Sequence, residues 1–218
     1  TSSHAIFSLR VIPNMLNIRP FKVTLPRGHK DIAADPPDAC RDFYLHEAHD
    51  NQSKRVSSTY DILVGNAFCG FFCLSNCSLE LNPEDRMEKF MDKKQLSRIP
   101  PAVLLGQIYI CAGYRRLGYM SEALWHAVHI CLRSKTACRF LVLDVEHDKP
   151  ELIAVYEKLG WVSVKGMPRK MYLDLLKYIQ ISRSLRKAAR MPLPAKEQLK
   201  AFAEIQKKEL QQLRLPLG

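Results

Sequence analysis

The 218-residue sequence lacks any run of about 20 apolar residues, so no segment reads as a membrane-spanning helix. Ala5 to Met15 carries Arg10, Pro13 and Asn14 and does not form the apolar core of a signal peptide. An even-numbered cysteine framework is also missing. The seven cysteines predict reduced thiols and a cytoplasmic protein. The candidate metal-ligand spacings in the sequence are poor. Cys69, Cys73 and Cys77 would share one strand, where four residues span about 13 Å, too far for one ion with thiolate bonds of ~2.3 Å. His126 and His129 lie three apart on a polar helix face with Glu122 and Arg133, and no third ligand is evident. No metal is therefore expected. Cys111 has no local signature of a nucleophile, and no internal repeat is visible. Acidic residues are in short supply: 22 Asp and Glu against 33 Lys and Arg leave a net charge of +11. That imbalance implies an acidic or polyanionic partner, nucleic acid first.

What is present is ordinary globular composition, 47% hydrophobic and 25% charged, enough for one filled core with an appendage. Residues 1–37 are rich in proline, and Phe21 to Leu25 alternates as an edge strand ending at Pro26. Asp38 is a candidate cap for an amphipathic helix from Ala39 to about Lys54, with Cys40, Phe43, Tyr44 and Ala48 on one side. Ser58 to Val64 and Phe68 to Leu79 read as a hairpin around Gly65-Asn66. Asn82 to Asp85 starts a short helix or lid carrying Phe90 and Met91, which ends before Pro100-Pro101. Met120, Ala123, Leu124, Ala127, Val128 and Cys131 form a helical stripe that should bury against a sheet. Arg139 to Val145 reads as a strand. Asp148 to Glu151 resembles a capping box, and Leu152 to Leu159 a short helix closed by Gly160. Trp161 to Val164 and Lys170 to Leu176 would be the last strands.

The stretch from Val103 to Met120 organises the chain. A β-branched and aromatic run, read as a buried strand, leads into a loop with Gly113, Arg115, Arg116 and Gly118, and a helix starts near Ser121. Unpaired N–H groups and the helix dipole favour an anion at such a place, and a phosphate or pyrophosphate is the natural guest.

Arg115-Arg116-Leu117-Gly118-Tyr119-Met120 resembles the acetyl-CoA-binding segment of the GNAT N-acetyltransferase superfamily, Gln/Arg-x-x-Gly-x-Gly/Ala, with Met120 where the family has Gly or Ala. Cys111 likewise stands where an acidic residue is common. Val155 to Trp161 is similar to the family's Phe-Tyr-x-x-x-Gly-Phe segment. Asp42 to Ala48, Asn51 to Tyr60 and Pro101 to Gly106 resemble a narrower subgroup, the GNAT toxins of toxin–antitoxin modules that acetylate aminoacyl-tRNA. The resemblance covers about residues 38–176.

It implies an α/β (α+β) GNAT fold, a mixed and mostly antiparallel sheet flanked by helices. The expected organisation is an N-terminal segment with the first strand (1–37), the acetyltransferase domain (38–176) and a basic helical C-terminal extension (177–218). The extension holds ten basic and three acidic residues, +7 of the total, and a stripe of Leu199, Phe202, Ala203, Leu210 and Leu213 that needs a surface: its own domain, a second protomer in a homodimer, or a protein partner.

The resemblance also implies acetyl-CoA as acetyl donor. Ile108, Tyr109, Ile110, Arg115, Arg116, Leu117, Gly118, Tyr119, Met120 and Ser121 would bind it, and Tyr156 would be the acid that protonates the leaving thiolate. An α-amine, with pKa near ~8, needs no strong base; Glu146 and Glu122 are candidate bases, read in preference as solvated charges. Lys54, Arg55, Arg183, Arg186 and Lys187 are candidate phosphate contacts for tRNA. The implied partners are tRNA and an antitoxin. A protein or small-molecule amine as acceptor, or a catalytically silent GNAT fold used as a binding module, are the competing readings.

Overall fold

A computed structural model describes residues 16–21, 32–36, 38–79, 100–146 and 149–180. In chain order the elements are β1 (Leu16–Pro20), α1 (Ala39–His46), α2 (Ala48–Ser53), β2 (Ser58–Val64), β3 (Ala67–Ser78), β4 (Pro101–Ile110), α3 (Tyr119–Arg133), β5 (Phe140–Asp144), α4 (Glu151–Glu157), β6 (Val162–Val164) and β7 (Met167–Asp174). A 3-10 turn, Ala112–Tyr114, follows β4. The strands form one sheet in the order β1-β2-β3-β4-β5-β7-β6. All neighbours are antiparallel except β4 and β5, which run parallel. This is the mixed, mostly antiparallel α/β fold that the sequence implied.

Period-two alternation on the strands feeds two cores. Phe72, Leu74, Leu141, Leu143, Met171 and Leu173 face the buried stripe Ala123, Leu124, Ala127, Val128 and Cys131 of α3. Phe71, Cys73 and Tyr109 face Cys40, Phe43, Tyr44 and Ala48 on the other side. Full burial of an aromatic or branched side chain contributes roughly 1.5–3 kcal/mol, so each face holds its helices firmly. Gly70 permits the central pair to close, since a Cβ there would lie 2.1 Å from the Tyr109 carbonyl oxygen.

Several boundaries differ from the sequence reading. The edge strand is Leu16–Pro20, one step ahead of the stretch expected; Phe21 lies beyond it, and residues 22–25 fall outside the described part. The helix read from Ala39 to Lys54 is two helices, because Glu47 departs to φ −117° and the chain bends. Helix α4 begins after Pro150, and Asp148, the cap expected from the sequence, lies outside the described residues. Gly160, at φ +88°, does close it: Trp161 N–H donates to Tyr156 O (3.1 Å) and Gly160 N–H to Glu157 O (3.0 Å). Strand β7 ends at Asp174, whose carboxylate accepts from the Leu176 and Lys177 N–H groups as the backbone turns helical. The lid at 82–99 and the extension from residue 181 lie outside the described residues.

Candidate active site

The centre of the sheet is open. Strand β4 is paired with β3 from Pro101 to Ile110, but with β5 only through Ala102, Val103 and Leu104. Beyond Leu104 the two parallel strands part. A bulge explains why: Leu74 faces Leu105 and Cys73 faces Gln107, leaving Gly106 as the extra residue. A bulge bends its strand and increases the local twist. The β5 side of Leu105–Ile110 therefore has no strand partner among the described residues, and Ile108, Tyr109 and Ile110 lie along that cleft.

One wall of the cleft is the loop into α3. Gly118, at φ +92°, is the N-cap of a 15-residue helix and supplies no side-chain cap. The first N–H groups of α3 are thus left for an outside acceptor, with the helix dipole behind them. Ser121 N–H bonds back to Gly118 O (3.1 Å). Arg116 (φ +63°) and Leu117 are exposed at the loop tip. Arg115 behaves differently from expectation. Its Nε donates to Ile110 O (2.9 Å) and its Nη2 to the Tyr109 hydroxyl (3.0 Å), so it ties the loop to β4 instead of reaching out as a cationic donor. Asp35 completes that tie, accepting from the Tyr109 hydroxyl and the Ala112 N–H, each at 2.9 Å. Burial first, then Asp35, raises the Tyr109 pKa well above the ordinary phenol value, and Arg115 opposes the rise. Tyr119 packs beside Tyr114 with ring centroids 6.1 Å apart. Met120 is half-buried against the α3-side core, so its bulk points inward.

The other wall comes from α1 and the β5–α4 turn. Asp38 caps α1, its Oδ1 accepting from Cys40 N–H at 2.9 Å. Its Oδ2 pairs with Lys149 Nζ at 2.7 Å, and Lys149 Nζ also pairs with Glu146 Oε2 at 2.6 Å. Cys40 Sγ lies 3.2 Å from Glu146 Oε1 and 2.8 Å from Gln107 Oε1. Burial and then Glu146 push the Cys40 thiol far above its ordinary pKa, so it is a neutral donor and not a nucleophile. Burial would lower the Lys149 pKa, but Asp38 and Glu146 outweigh it and raise it well above the ordinary value. Burial likewise works against Asp38, yet Lys149 and the Cys40 N–H hold its pKa below the usual range.

Tyr156 belongs to this wall. It is 5% exposed, packs edge-on to Trp161 at 5.9 Å, and its hydroxyl has no hydrogen-bond partner among the described residues. Burial, then Cys40 and Glu146, raise its pKa to about 12, with Lys149 opposing. A proton held that tightly is present at neutral pH, which suits an acid.

Two readings of the carboxylates are corrected. Glu146 is a half-buried ion-pair partner, not a solvated charge, and Glu122 is half-buried with its pKa raised by desolvation while it accepts from Leu16 N–H at 3.4 Å. His126 and His129 are also half-buried, with His129 against Trp125 at 4.0 Å between ring centroids. Lys54 is engaged with Asp50 at 2.7 Å, whereas Arg55 is exposed at φ +58°. Arg183, Arg186 and Lys187 lie outside the described residues. Sequence reasoning treated Asp38 only as a cap and gave Cys40, Gln107 and Lys149 no role in a site. The sole hint was Asp38 two residues ahead of a buried cysteine.

The sequence pattern of the acetyltransferase (GNAT) family matches residues 34–161. Curated proteins gave no match. Among solved structures, a tyrosine-to-phenylalanine mutant of KacT superposes with a TM-score of 0.63 at 15% identity, covering 76% of this chain and 98% of that one. AtaT complexed with acetyl-methionyl-tRNAfMet superposes at 0.61 and 14% identity, covering 80% and 99%. An AtaT mutant toxin bound to acetyl-CoA and the C-terminus of the antitoxin AtaR superposes at 0.56 and 13% identity, covering 82% and 100%.

Proposed function

The chain belongs to the acetyltransferase (GNAT) family, and on that premise we propose that it acetylates the free α-amine of aminoacyl-tRNA as the toxin of a toxin–antitoxin pair. The observation that carries the reading is the parting of β4 from β5 beyond Leu104, with a helix N-terminus that has no side-chain cap on one wall and, on the other, a buried tyrosine whose hydroxyl has no hydrogen-bond partner among the described residues.

Acetyl-CoA, when bound, supplies an activated acetyl group on sulfur. The residues present fit it. The N–H groups at Gly118, Tyr119 and Met120 are placed for its pyrophosphate, with Leu117 and Ser121 flanking them and Arg116 as the exposed cation. Because Met120 turns into the core, its side chain leaves its own N–H open. The free edge of Ile108–Tyr109–Ile110 offers backbone groups to the pantetheine and to the thioester oxygen, an electrostatic contribution that needs no reorganisation. Arg115 and Asp35 hold this edge and the loop in one piece. Tyr156 Oη gives its proton to the departing sulfur. The acceptor nitrogen needs little help, since an α-amine with pKa near ~8 is partly neutral at physiological pH.

Two things support tRNA as carrier. The protein carries +11 net charge, and one structure it resembles holds an acetylated aminoacyl-tRNA. We assign phosphate contacts to Arg55 and to Arg183, Arg186 and Lys187 of the extension after residue 176, with Lys54 secondary because Asp50 already engages it. Such a protein would work in the cytoplasm beside the ribosome, restrained by an antitoxin. Among the described residues no helix is long and apolar enough to cross a membrane.

The test is transfer of labelled acetyl from acetyl-CoA to aminoacyl-tRNA, with binding followed across a salt series. Counterion release predicts a steep loss of affinity with salt, flattened by reversing the charge of Arg183, Arg186 and Lys187. Transfer to small amines or proteins with no transfer to aminoacyl-tRNA would replace the acceptor. Failure to bind acetyl-CoA at all would leave a silent binding module.

A further inference from the structure

The cluster formed by Asp38, Cys40, Glu146 and Lys149 does more than join α1 to the β5–α4 turn. We infer that Asp38 and Glu146 form the subsite for the acceptor's primary ammonium, and that Lys149 fills it with its own ammonium until the acceptor arrives. The inference deepens the proposed function and rests on it.

Three observations carry it. First, a primary ammonium already sits there: Lys149 Nζ lies 2.7 Å from Asp38 Oδ2 and 2.6 Å from Glu146 Oε2. A protonated substrate amine has the same charge and the same three donors, and one of those protons passes to a carboxylate of the pair before the neutral nitrogen attacks. Second, acceptor oxygens crowd the site and one proton is shared between two of them. Four carboxylate oxygens and Gln107 Oε1 converge, and the single Cys40 S–H proton faces both Glu146 Oε1 and Gln107 Oε1. Two carboxylates against one ammonium leave a charge of −1, so the wall still attracts a cationic acceptor while Lys149 occupies it. Third, the Tyr156 side chain is 95% removed from solvent by its 5% exposure, its hydroxyl has no partner among the described residues, and it lies near enough to Cys40, Glu146 and Lys149 to feel their charges. The acid and the ammonium-binding carboxylates thus share one wall.

A divalent cation is the rival occupant, since one ligand atom each from Asp38, Cys40 and Glu146 lie within 4.8 Å of one another. The geometry favours the ammonium, because Lys149 Nζ already bridges Asp38 Oδ2 and Glu146 Oε2 where an ion would sit. The sign of the site also fits the proposed carrier. A basic protein draws in a polyanion, and a local acidic spot takes that polyanion's one cationic end.

The full-length protein and its Glu146→Gln, Asp38→Asn and Lys149→Met variants would be compared on methioninamide and on methionyl-tRNA. KM and kcat come from CoA release, acetyl-CoA affinity from calorimetry, and methioninamide binding without acetyl-CoA from NMR titration. Glu146→Gln should raise the methioninamide KM and weaken its binding by about tenfold or more, the loss expected for one charge-assisted hydrogen bond, with acetyl-CoA affinity unchanged. Lys149→Met should do the reverse, lowering the KM, because the competing ammonium is gone. A raised KM in Lys149→Met as well as in Glu146→Gln would make the cluster a structural clasp and overturn the inference. So would an unchanged KM and unchanged binding in Glu146→Gln, while the proposed function would stand if the wild type still acetylates either acceptor. Zinc(II) or manganese(II) binding that Glu146→Gln abolishes would replace the subsite with a metal centre. Wild-type protein that binds acetyl-CoA but acetylates neither acceptor would defeat the proposed function, and the subsite with it.

Discussion

The two walls of the cleft are built in opposite ways. The α3 wall is one continuous stretch, strand then loop then helix, and its groups are backbone N–H atoms whose direction follows from the helix itself. The α1 and β5–α4 wall is assembled from side chains 111 residues apart in sequence, as in the Lys149–Asp38 pair. A wall of backbone groups is insensitive to most side-chain changes but fails where φ is constrained. A wall of side chains responds to the loss of any partner, because removing one changes the charge balance of those left in a half-buried place. Substitutions on the two walls should therefore differ in kind.

The largest effect is expected at Tyr156. Tyr156→Phe should lower turnover by about 10²-fold or more and leave acetyl-CoA affinity in place; steady-state rates beside calorimetry would show it. Unchanged turnover, with chemistry limiting the rate, would take the hydroxyl out of the mechanism. Its pKa of about 12 adds a pH prediction. An acid is lost only as pH rises through its pKa, so the Tyr156 contribution to kcat/KM should stay level up to about pH 10, the ordinary phenol value. A fall at pH 10 or below, traced to this residue by its absence in Tyr156→Phe, would mean that the hydroxyl is not shielded.

Next comes Gly70, behind both walls. A Cβ 2.1 Å from a backbone oxygen forces β3 and β4 apart, and Gly70→Ala should cost about 1–3 kcal/mol, read as a lower melting temperature. A normal melting temperature would mean that the strands separate cheaply. On the α3 wall, Gly118→Val must hold a β-branched residue at φ +92°, a strain of about 1–3 kcal/mol. Acetyl-CoA affinity should fall by roughly tenfold or more, with the acceptor KM unmoved; the opposite split would blur the division between the walls.

Met120→Gly is a smaller test of the same wall. The side chain packs against the core, so the change should lower the melting temperature, by helix propensity alone about 1 kcal/mol, and leave acetyl-CoA affinity as it was. Tighter binding would mean that the methionine crowds the pyrophosphate after all. Smallest of all is Lys54→Ala. Its pair with Asp50 is exposed and worth ~1 kcal/mol at most, so thermal stability should barely change; a large loss of tRNA affinity would instead show that the lysine leaves Asp50 for a phosphate.

The same contrast explains what could be read in advance. The β2–β3 hairpin, the turn at Gly65-Asn66, β4, α3 and Gly160 as the closing glycine all follow from patterns a few residues long, and all are found. The strand at Leu16–Pro20 was missed because its Asn17, Arg19 and Pro20 are poor strand formers, and pairing with β2 alone makes it one. The α1–α2 break was missed because hydrophobic periodicity runs on through a bend. On the α3 wall the loop was legible, but the fate of Arg115 was not. Whether a guanidinium points outward or back depends on a carbonyl five residues earlier and on the Tyr109 hydroxyl, which only the folded strand presents to it.

The sequence by itself determined the helical stripe, the strand alternation and the anion-binding loop, because each rests on the period of one element or on backbone groups that every residue carries. It also determined the sign of the protein's charge. The tertiary structure alone decided that β4 and β5 separate, since a bulge at Gly106 exists only relative to β3. It alone turned Glu146 from a solvated carboxylate into a paired one, and brought Cys40, Glu146 and Lys149 near Tyr156. Charges in water differ little from one position to another, but charges brought together in a half-buried cleft depend on every neighbour, and those neighbours come from distant parts of the chain.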